Sequence, residues 1–422
     1  MRKNLLVILF MIGFTKLSAQ ATWDLQSTIF PAGYTVVTGM STIDDNNVWA
    51  YSNNTTTYKI GLSKTINGST WNSTGELPYN SELRLTAFEA QSAMNASALL
   101  VNTIDFSSGL LVKTTNGGST WSVGTTTATF PDFVHFFDVN NGVIVCDSNS
   151  TSYIIYKTND GGINWNLVNM ANLPTFISDE FFLTNSYRYY QNAMWFTTNK
   201  GRFFKTTNQG ASWVAIQSPY NSGYIGTAVS LNANFYLVDT DTAYILNGTG
   251  QISKTINGGL AWSNTGNTSN TGTQSICKIP NTNVLLSNGT TNSKYSTDEG
   301  LNWTVIDNTF KTEIKSTSLN GTYTIGSNNL YKLNANTLSR NDGSKFETKD
   351  KLIIFPNPSS VSISISTTNN IKTINIIDIF GKKTNVANFG NNIIDVSGLQ
   401  NGIYFIEITT EKGLQIQKFI KN

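Results

Sequence analysis

The phrase Thr114-Thr-Asn-Gly-Gly-Ser-Thr-Trp121 decides the fold, because close variants of it occur six times in this chain of 422 residues. Each copy runs from a Ser or Thr, through Asn or Asp and one or two Gly residues, to a Trp. The gaps between successive final Trp residues are 50, 44, 48, 49 and 41 residues, since these lie at Trp71, Trp121, Trp165, Trp213, Trp262 and Trp303. A repeat of this period predicts an array of one supersecondary unit.

Each unit has room for four short strands, which is the content of one β-propeller blade. A polar turn followed by an apolar strand recurs upstream of each copy, as in Asn46-Asn-Val-Trp-Ala-Tyr51, and we predict that it forms an inner strand. Trp23 lies one further period before Trp71, and Leu330-Tyr-Lys-Leu333 resembles a strand that leads into a copy without being followed by Trp. We therefore predict an all-β, seven-bladed β-propeller whose last blade takes its outer strand from the segment at Trp23. Six or eight blades are the alternatives.

The residues of the phrase suit a tight turn between strands. The Asn or Asp at its third position can accept a hydrogen bond from the backbone two residues on. In the full-length copies this residue is Asn116, Asp160, Asn208, Asn257 or Asp298. Gly permits positive φ, the leading hydroxyl can satisfy a backbone group, and the final Trp can bury its ring between adjacent sheets. We interpret all of these residues, and Trp23, as structural.

The phrases resemble the Asp-box, or BNR, repeat, and the fuller unit is similar to the photosystem II assembly factor branch of those propellers. The resemblance extends over residues 21–340, with six copies in one phase. It implies the propeller fold but not one activity, because such propellers include sialidases, sorting receptors and assembly factors. The first copy is one residue short, and several copies carry Asn where the family prefers Asp, so we expect no metal at these turns.

Composition excludes one class of partner. The net charge is +2 and charged residues make up 13% of the chain, whereas a nucleic-acid partner requires a basic stripe. Cys146 and Cys277, the two cysteines, each lie in an apolar alternating stretch. We interpret them as buried free thiols, with one disulfide as the alternative.

Residues 1–20 have the layout of a secretory signal peptide. Arg2 and Lys3 precede the apolar run Leu5 to Phe14, and Lys16-Leu-Ser-Ala-Gln-Ala21 supplies small residues for cleavage. The apolar run is short for a membrane span.

A second, smaller module is predicted at the C-terminus. Residues 341–351 form a charged linker, and residues 352–422 contain short apolar runs separated by turns, as in a small β-sandwich. This module resembles the type A sorting domain of the type IX secretion system of Bacteroidetes. The matching positions are Pro356, Asn357, Pro358, Gly381, Gly402, Tyr404 and Lys418. The resemblance implies export by the type IX machinery, followed by release or by attachment to surface lipopolysaccharide.

Candidate catalytic groups are few. Beyond the signal peptide the arginines are Arg84, Arg188, Arg202 and Arg340, which argues against the three-arginine clamp of a sialidase. Three pairs of carboxylates are candidate glycosidase acids: Asp44 with Asp45, Asp179 with Glu180, and Asp239 with Asp241. We expect these to cap turns or face solvent. His135, the only histidine, is flanked by aromatic residues and is expected to pack in the core, so we predict neither a metal site nor a cofactor.

Tyr187, Tyr189 and Tyr190 surround Arg188 and could stack on a sugar or on side chains of a protein partner. The leading hypothesis is a secreted or surface-displayed propeller that binds protein or glycan without catalysis. An extracellular glycosidase of the Asp-box type and a structural component of the cell envelope are the alternatives.

Overall fold

The computed structural model describes residues 21–54, 56–79, 82–102, 104, 109–124, 130–149, 151–220, 234–269, 273–335, 353–366, 371–378, 382–384, 393–410 and 413–422. The predicted signal peptide (1–20) and charged linker (341–351) lie outside these ranges. The chain divides into two compact units, Met1–Thr337 and Leu338–Asn422. Across the described ranges, no helix is long and apolar enough to span a membrane.

The first unit begins with β1 (Thr22–Leu25), after which six antiparallel four-stranded meanders follow. Blade 1 contains β2 (Gly39–Thr42), β3 (Val48–Asn53), β4 (Ile60–Thr65) and β5 (Trp71–Glu76). Blade 2 contains β6 (Leu83–Ala90), β7 (Ala96–Asn102), β8 (Gly109–Thr114) and β9 (Ser122–Gly124). Blade 3 contains β10 (Pro131–Phe136), β11 (Gly142–Cys146), β12 (Ile154–Thr158) and β13 (Asn166–Leu167), followed by a short 3-10 helix at Met170–Asn172.

Blade 4 contains β14 (Phe182–Tyr190), β15 (Ala193–Thr198), β16 (Arg202–Thr206) and β17 (Val214–Gln217). Blade 5 contains β18 (Phe235–Leu237), β19 (Ala243–Leu246), β20 (Gln251–Thr255) and β21 (Ser263–Asn267). Blade 6 contains β22 (Thr273–Lys278), β23 (Leu285–Gly289), β24 (Ser293–Ser296) and β25 (Thr304–Asp307). Blade 7 contains β26 (Ile314–Ser316), β27 (Thr322–Gly326) and β28 (Asn329–Asn334), with β1 as its fourth strand.

The ring closes through blade 7. β1 pairs antiparallel with β28, and Trp23 lies opposite Leu333. The first strands of neighbouring blades contact one another around the ring, including β2 with β26. The prediction of a seven-bladed propeller closed by the segment at Trp23 is therefore confirmed, and the alternatives of six or eight blades are excluded. The recurring phrase predicted to form an inner strand forms the second strand of its blade, between the first and the third, since Asn46 and Asn47 precede β3.

The final Trp residues of the repeats pack in clusters that span adjacent blades. Trp71 is 2% exposed and lies in a cluster with Tyr323 of blade 7. The ring centroid of Trp262 lies 5.9 Å from that of Phe203 in blade 4. Trp213 is buried, whereas Trp121, Trp165 and Trp303 are half-buried.

The turn of each repeat is held by two side chains. In the second copy, Thr114 Oγ1 accepts from Gly118 N (2.9 Å) and donates to Asn116 Oδ1 (3.0 Å). Asn116 Oδ1 in turn accepts from Thr120 N (2.9 Å). The same bonds recur at the third to sixth copies, on Asp160, Asn208, Asn257 and Asp298. The predicted backbone contact two residues on is therefore wrong for the full-length copies, where the contact lies four residues on.

We expect Thr114→Val to destabilise the propeller by about 1–3 kcal/mol, because the side chain is buried and its hydroxyl is the acceptor for Gly118 N and a donor to Asn116 Oδ1. Urea unfolding measures the difference. Thr114→Ser keeps the hydroxyl and is the matched control. Equal stability of the Val and Ser variants would contradict the assigned role.

The second unit is a sandwich of two sheets. Its three-stranded sheet contains β29 (Ile353–Phe355), β30 (Ser362–Ser366) and β33 (Ile393–Asp395). Its four-stranded sheet contains β31 (Ile371–Asp378), β32 (Lys383–Thr384), β34 (Gly402–Thr410) and β35 (Gly413–Lys421). Both sheets contribute fully buried side chains to one core, among them Ile363, Ile376, Ile406 and Phe419. The predicted small β-sandwich is confirmed.

Two of the predicted sorting-motif residues connect parts of this sandwich. Asn357 Nδ2 donates to Lys418 O (3.2 Å), and Asn357 Oδ1 accepts from Ile420 N (2.9 Å). The ring of Tyr404 stacks on Phe419 with centroids 5.5 Å apart. The side chain of Lys418 is exposed, as are Pro356, Pro358 and Gly402. Gly381 lies outside the described residues.

Candidate functional site

A cavity of about 760 Å³ lies among the first strands of the blades. Residues of six blades line it, including Tyr187 to Tyr190 at the end of β14. Its rim is formed by turns that follow the first strands, at Asp239, Pro280 and Thr317. The repeat turns lie at the same end of the blades, because Gly258 N donates to Asp241 O (2.8 Å).

One wall of the cavity is aromatic. Tyr189 is 47% exposed, although its ring lies against His135 with centroids 4.1 Å apart and an interplanar angle of 31°. Phe137 packs edge-on against His135 (4.6 Å, 84°). Desolvation by the surrounding cavity wall raises the pKa of Tyr189 above its usual range, with a smaller effect from Glu89, so the hydroxyl remains a hydrogen-bond donor. The tyrosines noted in the sequence therefore meet at the cavity.

His135 is held behind this wall by Glu89. The His135 Nδ1–H donates to Glu89 Oε1 over 2.8 Å, and the two residues are 1% and 5% exposed. A carboxylate only accepts, so this bond fixes the proton on Nδ1. His135 Nε2 and Glu89 Oε2 are buried without a hydrogen-bond partner among the described residues. The packed position of His135 was predicted, whereas Glu89 was missed. Glu89 and His135 are 46 residues apart, which is close to one repeat. This spacing could have indicated that they lie on the first strands of adjacent blades.

Arg188 directly precedes Tyr189 on β14 and is half-buried. Its Nη1 donates to Tyr187 O (2.7 Å), and its guanidinium carbon lies 5.6 Å from the centroid of the Phe235 ring. Burial lowers the pKa of Arg188, and the negative charge of Glu313 offsets only part of this effect. Within the described ranges, Arg188 forms no ion pair.

The carboxylates that line the cavity all have partners. Glu89 accepts from His135, and Asp239 accepts from the backbone N–H groups of Asp241 (2.8 Å) and Thr242 (2.7 Å). Glu313 lies 3.4 Å from Lys315 Nζ.

The other candidate acids and arginines lie apart. Asp44 caps a turn by accepting from Asn46 N and Asn47 N (both 2.8 Å), and Asp45 accepts from hydroxyls of blade 7. Asp241 pairs with Lys205 (3.1 Å), and Asp179 is exposed. Arg84 is exposed on β6, and Arg340 lies outside the described residues. Among the described residues no three His, Cys, Asp or Glu side chains converge as a metal site would require.

Arg202 and Glu180 instead form a buried network between blades 3 and 4. Arg202 Nε donates to Glu180 Oε1 (2.9 Å), and a second guanidinium nitrogen bonds to Glu180 Oε2. Thr198 Oγ1 (2.6 Å) and the Tyr153 hydroxyl also donate to this carboxylate. Burial alone would raise the pKa of Glu180, but these donors outweigh it and leave the pKa below its usual value.

This network predicts a pH dependence of stability. Because Glu180 has a lower pKa in the folded chain than in the unfolded chain, its contribution is fully present above about pH 4.5 and is lost as the pH falls through the folded-state pKa. We expect the difference in unfolding free energy between the wild type and Glu180→Gln to shrink on acidification. Urea titrations at about pH 7 and about pH 3.5 measure it. A difference that does not change with pH would contradict the assignment.

A set of lysines links the blades and was missed in the sequence. Lys64 Nζ donates to Gly117 O of the next repeat turn (2.8 Å), Lys113 to Gly161 O (2.6 Å) and Lys332 to Gly68 O across the closure (2.9 Å). The signal was present, because a Lys immediately precedes five of the six copies, at Lys64, Lys113, Lys157, Lys205 and Lys254.

The two cysteines are free and buried. Cys146 lies in β11 and Cys277 in β22, and burial raises the pKa of both thiols, that of Cys277 to about 12. The interpretation as core thiols is confirmed, and the alternative of one disulfide is wrong.

Comparison with known proteins agrees with this architecture. Residues 353–422 match the family described as the secretion system C-terminal sorting domain. No curated protein matches the chain. YCF48 bound to D1 peptide is similar in structure, with 15% identity, a TM-score of 0.53 and coverage of 74% of this chain and 96% of that one. YCF48 from Cyanidioschyzon merolae has 14% identity, a TM-score of 0.51 and coverage of 75% and 98%.

An ancestral GH74 enzyme matches at 14% identity over 94% of this chain and 63% of that one, with a TM-score of 0.45. The fold and the C-terminal match define a seven-bladed propeller fused to a sorting domain. The protein is secreted through the type IX system of Bacteroidetes to the cell surface or the extracellular space.

Proposed function

We propose that this protein is an exported, non-catalytic binding protein that takes part of a glycan into the central cavity of its propeller. The observation that carries the proposal is Tyr189, whose ring lies against His135 with centroids 4.1 Å apart while the residue is 47% exposed. A ring supported from behind offers a rigid apolar plane at low entropic cost. The cavity volume of about 760 Å³ is in the range of ligand sites and suits an oligosaccharide segment.

Polar groups around this plane suit a hydroxyl-rich ligand. The Tyr189 hydroxyl remains protonated and can donate, while Asp239 and Glu313 provide acceptors on the facing blades. Binding is favoured over glycoside hydrolysis because each lining carboxylate is already engaged by His135, by turn backbone or by Lys315.

A peptide is the competing ligand. One of the similar structures is that of YCF48 bound to D1 peptide, and the likeness to that protein, at 15% identity, concerns the fold. The supported aromatic plane of Tyr189 favours a sugar ring over a peptide. Binding measurements with saccharides and with peptides distinguish the two ligands.

Glycan-array screening followed by calorimetry tests the proposal. We expect Tyr189→Ala to weaken saccharide binding about tenfold or more, since stacking contributes about 1 kcal/mol beyond buried area and donor contacts are also lost. Tyr58→Ala is the matched control, because Tyr58 is 48% exposed and does not line the cavity. Capture of peptides but no saccharide, or unchanged saccharide affinity in Tyr189→Ala, would contradict the proposal.

We also propose that the sorting domain is removed during export and that the propeller is released or attached to surface lipopolysaccharide. The support is the match over residues 353–422 at the end of the chain. Mass spectrometry of the protein from cells and medium should find a mature C-terminus upstream of Ile353. Recovery of intact residues 353–422 on the exported protein would contradict it.

A further inference from the structure

We infer that the glycan bound in the cavity is acidic and that its carboxylate pairs with Arg188. This inference rests on the proposed function and narrows the ligand to saccharides that carry a uronic acid.

Arg188 lines the cavity with most of its donors unused. A guanidinium has five N–H donors, and in the described part of the chain Arg188 uses one, to Tyr187 O (2.7 Å). It is half-buried in the cavity wall without a carboxylate partner in the described ranges. A partly desolvated cation of this kind gains from an anionic ligand that accepts its remaining hydrogen bonds.

The other two described cations that line the cavity, Lys315 and Lys278, each have a carboxylate partner. Lys315 Nζ lies 3.4 Å from Glu313 and donates to Met40 O (2.8 Å). Lys278 Nζ lies 3.7 Å from Glu299. Among the cations that line the cavity in the described residues, Arg188 is therefore the one whose charge lacks a paired carboxylate.

The arginine is also held in place for planar recognition. Tyr187 O and the ring of Phe235, 5.6 Å from the guanidinium carbon, fix the side chain. A guanidinium fixed in this way binds a carboxylate through two parallel hydrogen bonds, which a lysine does not do.

Arg188 and Tyr189 contact different neighbouring blades from adjacent positions on one strand. They are consecutive on β14, where Tyr189 turns toward His135 of blade 3 and Arg188 toward Phe235 of blade 5. Both residues line the same cavity. A saccharide of more than one residue can therefore stack on Tyr189 and place the carboxylate of a neighbouring residue at Arg188.

Calorimetry on the mature protein tests the inference with three probes: galacturonate, mannuronate and guluronate trisaccharides, their carboxyl-reduced counterparts, and short peptides with a free C-terminal carboxylate. We expect at least one uronate trisaccharide to bind about tenfold or more tightly than its reduced form. Arg188→Met should remove this preference. Arg188→Lys should keep part of the preference for the acidic saccharide. Because it retains a cation, it also serves as the control for a folding defect in Arg188→Met. Arg84→Met, a change at an exposed arginine outside the cavity, should have no effect.

The outcomes separate the two proposals. Equal affinity of the wild type for acidic and reduced saccharides would overturn the inference and leave glycan binding intact. A preference that persists in Arg188→Met would also overturn it. Binding of peptides alone, or of no saccharide, would overturn glycan binding itself.

Discussion

Removal of β1 (Thr22–Leu25) from the mature chain is expected to lower the unfolding free energy of the propeller by on the order of 5 kcal/mol and to cause aggregation. β1 supplies the fourth strand of blade 7, with four residue pairs to β28. Each backbone hydrogen bond contributes about 1 kcal/mol net, and Trp23 Nε1 also donates to Ser293 Oγ of blade 6 (2.9 Å). The deletion leaves β28 as an open sheet edge, which favours edge-to-edge association.

Urea unfolding and light scattering measure these two effects. Leu25→Ala is the matched control, because this side chain is 60% exposed and the change leaves the backbone pairing in place. A deletion variant that remains monomeric and as stable as the control would show that blade 7 does not depend on closure by β1.

Arg202→Met is expected to destabilise the propeller by about 3–5 kcal/mol. The side chain of Glu180 is 0% exposed and that of Arg202 is 16% exposed, so the substitution leaves a buried carboxylate without its cation. The double variant Arg202→Met/Glu180→Gln should recover part of the loss, since the unpaired charge is removed as well.

The exposed pair Lys59–Glu76 provides the control for this prediction. Its atoms are 3.4 Å apart, and the two side chains are 45% and 36% exposed. Lys59→Met should therefore cost less than about 1 kcal/mol. Equal effects of the two substitutions in chemical denaturation would contradict the role assigned to the buried pair.

Most of the propeller could be predicted because its signal is repeated. The spacing of the Trp residues indicated the number of complete blades, and the isolated Trp23 together with Tyr331 identified the closure. The order of the strands within a blade was harder to predict from the sequence. The recurring apolar phrase is as hydrophobic as a first strand, but it forms the second strand of the blade. The C-terminal sandwich could likewise be predicted from alternating short runs between turns.

Only part of the candidate site could be predicted from the sequence. Tyr187, Tyr189 and Tyr190 could be singled out with Arg188 because they are adjacent in the chain. Their neighbours come from other blades, so that Glu89, Asp239 and Glu313 meet them only after the ring has closed. The repeat period could have suggested the approach of Glu89 and His135. Nothing in the sequence indicated that Arg188 would lack a carboxylate partner in the described ranges while Arg202 would have one.

Whether the cavity beside Tyr189 and Arg188 binds the ligand can be seen in a crystal structure of the mature protein soaked with a uronate trisaccharide. We expect electron density for a sugar ring on Tyr189 and a carboxylate of the trisaccharide within hydrogen-bond distance of Arg188. Ordered saccharide elsewhere on the protein, with the cavity holding only solvent, would show that the ligand site lies outside the cavity.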